Sequence, residues 1–170
     1  MSRKLYIGID NGTTGSIAFL GDAAAPKYML TPTFKEQSYT KKKQEISRID
    51  HAALKEVIRE ALGDLAPEEV LVIMERPRIN PMQFRTSISA ARSLEATLCV
   101  IEDLRLPRMY CDSRDWQKEL LPKGTTGTPE LKKASMDIGC RLFPSQADLI
   151  ARHKDADALL IAEWARRKGL

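Results

Sequence analysis

Three acidic residues of the sequence stand at positions where a carboxylate can do metal chemistry. Asp10 ends the apolar run 5–9, Glu75 ends the unbroken apolar run 70–74, and Asp157 lies on the apolar stripe of the last predicted helix. A carboxylate at the end of a buried strand or on the buried face of a helix is costly unless it is solvated, paired or bound to metal. Carboxylate oxygens are the ligands that Mg²⁺ and Mn²⁺ prefer, and two such ions serve in-line phosphodiester hydrolysis. If the fold brings these residues together, they form an all-oxygen metal site.

The apolar patterns predict the elements that would place these residues. Alternation predicts a first strand over 5–10 and an antiparallel partner over 16–20, joined by turn residues at 11–15. The run 70–74 is typical of a strand buried on both faces in the middle of a sheet. The other predicted elements are a strand over 28–31, a helix over 50–65, a long helix over 82–104, a strand over 107–111, helices over 112–121 and 128–143, and a last helix over 155–168. The fold class is therefore α/β, a mixed sheet of about five strands flanked by helices, in a single domain over residues 1–170.

Composition narrows the function classes. The 170 residues suffice for one globular domain, and 27 Lys and Arg against 23 Asp and Glu leave a net charge of +4, which permits a polyanionic partner without requiring one. The three cysteines, Cys99, Cys111 and Cys140, lack the spacing of a zinc ribbon or a disulfide scaffold. No stretch approaches the roughly 18 apolar residues of a membrane-spanning helix. We therefore expect a cytoplasmic protein that is neither secreted nor bound to a membrane.

Three ordered segments resemble the RuvC family of Holliday junction resolvases, within the ribonuclease H-like superfamily. They are IGIDNG at 7–12, VIME at 72–75 and ADALLIA at 156–162. Two more segments, DWQK at 115–118 and RLFP at 141–144, are similar to those of the phage and chloroplast branch of resolvases. The resemblance covers nearly the whole chain in the same order and is weakest between about residues 23 and 48. It implies a ribonuclease H-like fold.

The resemblance also implies an activity, namely metal-dependent resolution of four-way DNA junctions by paired phosphodiester hydrolysis, as in DNA recombination and repair. Asp10, Glu75 and Asp157 match the family's metal-ligand positions, so two Mg²⁺ or Mn²⁺ ions per site are expected and no small-molecule cofactor. Two opposed cuts need two sites, which implies a homodimer with the helix near Met82 as its interface. The expected products carry 5′-phosphate and 3′-hydroxyl ends. The expected location is the cytoplasm of a bacterial or phage-infected cell, or an organellar nucleoid.

The fourth metal ligand departs from the family pattern. Family members place an Asp or His three or four residues before the last Asp, where this sequence has Lys154 and His153. If the last helix begins near Lys154, His153 shares a face with Asp157, whereas Asp155 points roughly 200° around the axis. His153 is therefore the favoured ligand or proton-transfer group, and Asp155, which is otherwise an N-cap, is the alternative.

Several basic residues and one aromatic residue are candidates for DNA contact. The resemblance implies contacts to the DNA backbone from the lysines that flank the loop before the last motif, namely Lys118, Lys123, Lys132 and Lys133. The run Lys41, Lys42 and Lys43 is either a solvated loop or a further phosphate contact. Phe84 is either an aromatic wedge that unstacks bases, similar to that of some resolvases, or an ordinary core residue. Trp116 is assigned to the core.

Other function classes stay open. Residues 8–15, GIDNGTTG, are also similar to the phosphate-binding first hairpin of sugar kinases and actin-like ATPases. Those enzymes close two domains around the nucleotide, and 170 residues supply only one. A ribonuclease H-like nuclease that acts on flaps or RNA–DNA hybrids would share the same metal chemistry. A catalytically silent nucleic-acid binder is a third class, which the three carboxylates disfavour.

Overall fold

The computed structural model describes residues 3–22, 24–38, 41 and 43–170. The strands of this part of the chain are β1 (Leu5–Asp10), β2 (Ser16–Gly21), β3 (Lys27–Leu30), β4 (Thr33–Gln37), β5 (Glu45–Ile49), β6 (Val70–Glu75) and β7 (Arg108–Cys111). Five of them form one mixed sheet in the order β3-β2-β1-β6-β7, and β4 and β5 pair separately as an antiparallel hairpin. In the large sheet β2 is antiparallel to both β1 and β3, whereas β6 is parallel to both β1 and β7.

Helices cover both faces of the large sheet. The helices are α1 (His51–Leu62), α2 (Phe84–Asp103), α3 (Ser113–Leu120), α4 (Thr128–Leu142), α5 (Ala147–His153) and α6 (Asp157–Lys168). Short 3₁₀ turns stand at Pro67–Glu69, Pro81–Gln83 and Pro144–Gln146. Among the helices of the described residues, none combines the length and the apolar character that crossing a bilayer requires.

The sheet register brings the first two predicted carboxylates to one edge. Because β1 and β6 are parallel and Ile9 pairs with Met74, the next residues, Asp10 and Glu75, leave the sheet side by side. Both strands are buried along their length up to these two residues, since helices pack on each face of the sheet. The parallel pairing therefore places two carboxylates at the carboxyl ends of neighbouring central strands.

One helix, α6, lies directly on the sheet next to this edge. Its residues from Ala158 to Ala165 are buried, and they pack with Tyr6, Ala18 and Ile73 of the sheet. The helix approaches β1 so closely that a Cβ atom on Gly8 would collide with the carbonyl oxygen of Ala158. The packing of α6 thus requires a glycine at position 8. This explains Gly8 without a phosphate-binding hairpin like that of sugar kinases and actin-like ATPases.

On the opposite face, α1 and α2 close a second core. Leu54 and Ile58 of α1 and Ile101 of α2 pack against the sheet residues Ile7 and Ile17. Asp50 caps α1 as predicted, because its side chain accepts the N–H of Ala53 at 3.0 Å. The predicted sheet strands and long helices are confirmed, with ends that differ by at most three residues.

Two parts of the chain differ from prediction. The hairpin of β4 and β5 was not predicted, because most of its side chains are exposed and its sequence lacks a continuous apolar alternation. The last helix begins at Asp157 and not near Lys154 or Asp155, because a separate helix, α5, precedes it and ends at His153. Lys154 adopts a left-handed conformation with φ of 60°, which ends α5 and separates the two helices.

Candidate metal centre

Three carboxylates meet at the edge of the sheet. Asp10 comes from the end of β1, Asp157 begins α6, and Asp155 lies in the linker between α5 and α6. One carboxylate oxygen of each lies within 4.8 Å of the other two. Three oxygen ligands at this separation are the donor set that a hard divalent cation prefers.

Glu75 stands beside this group. It ends β6 next to Asp10, and its negative charge raises the pKa of Asp10. Its own carboxylate accepts a hydrogen bond from Nε1 of Trp116 at 3.1 Å. Glu75 is therefore held at the rim of the carboxylate group, where one of its two oxygens already has a protein donor.

The structure lacks the shared helix face on which the prediction for His153 rests. His153 is the last residue of α5 and does not share a helix with Asp157, because the left-handed Lys154 breaks the chain direction between them. Its ring packs edge-on against Tyr28, with 5.3 Å between ring centroids. Asp155, which the helical rotation had pointed away from the site, is the residue that joins Asp10 and Asp157. The N-cap of α6 is Ala156 and not Asp155, although Asp155 Oδ1 accepts the N–H of Asp157 at 3.4 Å.

The carboxylates of the site repel one another in a buried setting. Burial raises the pKa of Asp10 well above its ordinary range, and the charges of the neighbouring carboxylates raise it further. Burial likewise raises the pKa of Glu75 to about 7 and that of Asp157 to about 6. No ion pair among the described residues includes any of these carboxylates or Asp155. A half-buried cluster of acids that forms no ion pair with any described residue fits the binding of a divalent metal ion.

Neutral donors hold three of the four carboxylates. The indole of Trp116 donates to Glu75, and the hydroxyl of Ser135 donates to Oδ1 of Asp157 at 2.5 Å. The hydroxyl of Tyr28 donates to Asp155. Sequence reasoning placed Trp116 only in the core, where it is indeed fully buried.

The sequence analysis did not identify the other two donors, Ser135 and Tyr28, although the sequence around Ser135 gives a weak indication. Ser135 lies four residues after Leu131 and four before Gly139, so it interrupts the inward face of a predicted helix with a hydroxyl. Tyr28 was assigned to a strand without a role for its hydroxyl. Nothing in the local pattern identifies the residue to which either hydroxyl donates.

The predicted basic residues are exposed on α3, on α4 and on the loop between them. Lys118 of α3, Lys123 of the following loop, and Lys132 and Lys133 of α4 are all exposed. A groove of about 630 Å³ runs between that loop and α4, and its lining includes Lys123, Lys133 and Arg141. The charge of Lys132 lowers the pKa of both Asp10 and Asp157, which places a cation close to the acidic group.

The aromatic candidate lies on the surface. Phe84 is 70% exposed at the start of α2, which excludes the core alternative. Two neighbours, Ile79 and Met82, are also exposed, at 58% and 92%. Lys41 and Lys43 are exposed near the turn of the hairpin formed by β4 and β5, while Lys42 lies outside the described residues.

Comparison with known proteins identifies the fold. No protein-family model and no curated protein matches the sequence. RuvC of Thermus thermophilus in complex with a Holliday junction substrate aligns with a TM-score of 0.56 and 14% identity, over 98% of this chain and 97% of the other. A second structure of Thermus thermophilus RuvC aligns with a TM-score of 0.53 and 17% identity, over 97% and 96%. The chain therefore has the RuvC-like α/β fold, the mixed five-stranded sheet flanked by helices that the sequence predicted.

Proposed function

We propose that this chain is a divalent-metal-dependent endonuclease that resolves four-way DNA junctions. The observation that carries the proposal is the half-buried group of Asp10, Asp155 and Asp157, which forms no ion pair within the described part of the chain and lies at the edge of a RuvC-like sheet. Lys132 lies close enough to the carboxylates to lower the pKa of Asp10 and Asp157, and the other exposed lysines of α3, α4 and the loop between them supply further positive charge for a polyanion. Acidic ligands beside a basic surface are what hydrolysis of a nucleic-acid backbone needs.

In the proposed site, Asp10, Asp155 and Asp157 hold Mg²⁺ or Mn²⁺, with Glu75 on the adjacent strand as the further ligand. When bound, two such ions stabilise charge on the reacting phosphate and lower the pKa of the attacking water. The carboxyl of Glu75, with its pKa of about 7, binds a proton in competition with a cation near neutral pH. Lys132 compensates negative charge where the phosphate enters.

The proposed DNA surface follows from the exposed residues. Lys123 and Lys133, which line the groove between α4 and the preceding loop, contact backbone phosphates there. Lys118 and Lys132 contact phosphates beside it, Lys132 next to the carboxylates. Phe84 unstacks bases at the branch point, since it projects into solvent only nine residues after Glu75. Two opposed cuts need two active sites, so we propose a homodimer that forms through α2.

Cleavage of matched substrates tests this function. The wild-type chain should be incubated with labelled four-way junction, flap, RNA–DNA hybrid and linear duplex, with Mg²⁺, Mn²⁺ or chelator. Paired nicks in the junction that require metal support the proposal. Preferred cleavage of the hybrid or flap would instead support the related nuclease activity, and nicking of all substrates at equal rates would contradict structure selectivity. Saturable ATP binding would revive the ATPase alternative.

Salt dependence tests the DNA surface separately from the chemistry. Lys132→Ala and Lys118→Ala should each reduce the slope of log affinity against log salt by about 1, because one fewer counterion is released per lost phosphate contact. Binding is measured with the four-way junction in chelator, so that no cleavage occurs. Lys55→Ala is the matched control, since Lys55 lies on α1 and pairs with Asp103. An unchanged slope for Lys118→Ala and Lys132→Ala would remove these residues from the DNA surface.

A further inference from the structure

The linker between α5 and α6, residues 154–156, carries Asp155 without the support of a helix. Lys154 has left-handed backbone angles, and α6 begins only at Asp157. The hydrogen-bond ladder of a helix therefore does not determine where the Asp155 carboxylate points. Yet this carboxylate lies within 4.8 Å of those of Asp10 and Asp157, so contacts from other elements must hold it there.

Tyr28 of β3 makes one such contact. Its hydroxyl donates to both the carbonyl oxygen of Asp155 (2.9 Å) and its Oδ1 atom (3.2 Å), in a three-centre hydrogen bond. The tyrosine is only 2% exposed, and its backbone is fixed by pairing with Ala18 of β2. Its ring also packs edge-on against His153, the last residue of α5 before the linker. A single rigid side chain thus holds the main chain and the carboxylate of Asp155 together.

Ser135 of α4 holds the other end of the linker. Its hydroxyl donates to Oδ1 of Asp157 and accepts the N–H of Ala156 at 3.1 Å. The helix lies directly against the linker here, because a Cβ atom on Gly139 would collide with the Cβ of Ala156. The serine is 1% exposed, so no solvent competes for either bond.

We propose that Tyr28 and Ser135 are positioning residues that clamp this linker, and that Tyr28 sets the affinity of the site for a divalent cation by orienting Asp155. Both donors are neutral, so they orient the carboxylates without cancelling the charge that attracts a cation. The inference rests on the proposed metal site but not on the DNA substrate. Hydrogen-bonding partners of metal ligands change metal affinity by about 10- to 100-fold when they are removed.

Mn²⁺ binding to the full chain without DNA tests the clamp. Tyr28→Phe removes only the hydroxyl and should weaken the affinity by about 10-fold, measured by calorimetry or by the paramagnetic resonance of free Mn²⁺. Tyr6→Phe is the matched control, because Tyr6 is buried on the same face of the sheet and its hydroxyl donates to the carbonyl oxygen of Leu170 at 3.2 Å. This control should bind Mn²⁺ within about twofold of wild type, since a lost hydroxyl changes metal affinity only where it contacts a metal ligand.

Repeating the substitution of Tyr28 in the Asp155→Ala variant separates an effect on the orientation of Asp155 from a general loss of structure. In Asp155→Ala the carboxylate is absent, so adding Tyr28→Phe should weaken binding by less than about threefold. Ser135→Ala should weaken Mn²⁺ binding by about 10-fold as well, whereas Thr97→Val, which removes a buried hydroxyl that donates to Ser93 of α2, should not.

The outcomes distinguish the two levels of inference. If wild type binds Mn²⁺ and Tyr28→Phe binds it as tightly as Tyr6→Phe does, the clamp is wrong while the metal site stands. An equal loss from Tyr28→Phe in the wild-type and Asp155→Ala backgrounds would also overturn the clamp. If the wild-type chain binds no Mn²⁺, the metal site itself is refuted and the clamp with it.

Discussion

The two halves of the carboxylate group are held by different physical means. Asp10 and Glu75 form a strand half, in which backbone pairing of β1 with β6 sets the position of each residue. Asp155 and Asp157 form a linker half, in which hydroxyl groups of Tyr28 and Ser135 reach in from other elements. A ladder of backbone hydrogen bonds tolerates side-chain substitution, whereas a contact through one hydroxyl is lost with that hydroxyl. Substitutions of neighbouring side chains should therefore displace the carboxylates of the strand half little and those of the linker half more.

The largest expected effect comes from the strand half. Asp10→Asn keeps the side-chain shape but removes the charge at the centre of the group, so cleavage of a four-way junction should fall by about 10³-fold or more. Junction affinity in chelator should remain, because the DNA surface is separate. Asp64→Asn, in an exposed loop, is the control and should cleave normally. Cleavage by Asp10→Asn at near wild-type rate would remove Asp10 from the site.

The next effect is the pH dependence of the stability of the metal-free protein, to which Glu75 of the strand half and Asp157 of the linker half contribute over different pH ranges. Burial raises the pKa of Glu75 to about 7 and of Asp157 to about 6, so the folded chain binds protons more tightly than the unfolded chain between about pH 4 and 7. The metal-free protein should therefore lose stability as pH rises through this window, by on the order of 3 kcal/mol from Glu75 alone. Urea unfolding in chelator at pH 5, 6 and 8 measures the loss.

Variants assign that pH dependence to each half. Glu75→Gln should reduce the slope between about pH 5 and 7, including the part above pH 6, whereas Asp157→Asn should reduce it only below about pH 6, because each group titrates between its unfolded and its folded pKa. Saturating Mg²⁺ should flatten the whole profile, since it stabilises the ionised folded form. A metal-free stability that is constant from pH 5 to 8 would mean that the carboxylates are less buried than the structure shows.

A smaller effect separates Asp155 from His153 in the linker half. Asp155→Ala removes a carboxylate of the group and should lower the turnover rate by about 30-fold at limiting Mg²⁺. His153→Ala leaves the group intact and should change turnover by less than about threefold, because its ring only packs against Tyr28. Single-turnover cleavage of the junction at several Mg²⁺ concentrations measures both. The reverse order of effects would restore His153 as the fourth ligand.

The strand half was predictable from the sequence for the same reason that it is robust. Two apolar runs end in a carboxylate, the first in Asp10 and the second in Glu75. Each run identifies a buried strand and its carboxyl end from the local sequence alone, and the two strands are neighbours in the sheet. In the linker half Asp157 was predicted too, but the preference for Asp155 over His153 was not predictable, because the left-handed angles of Lys154 break the helical rotation by which His153 was favoured. No local pattern marks a lysine for that conformation. The hydrogen bond between Tyr28 and Asp155 spans 127 residues of sequence, beyond the reach of any periodicity.

The smallest effect is expected where the strand half has a side-chain donor of its own. Trp116→Phe removes the N–H that Glu75 accepts, but β6 still holds the backbone of Glu75 in register with β1. Mn²⁺ affinity at pH 8 should therefore fall by no more than about threefold, against about 10-fold for Tyr28→Phe in the linker half. The hydrogen bond from Trp116 lowers the pKa of Glu75, so its loss should raise that pKa. The difference in Mn²⁺ affinity between Trp116→Phe and wild type should therefore grow as the pH falls toward 6.5.

Because Trp116 is fully buried, the variant also leaves a cavity, and binding must be measured well below its unfolding temperature. A loss at pH 8 as large as that of Tyr28→Phe would show that backbone pairing does not suffice to place Glu75, and the contrast between the two halves would fail.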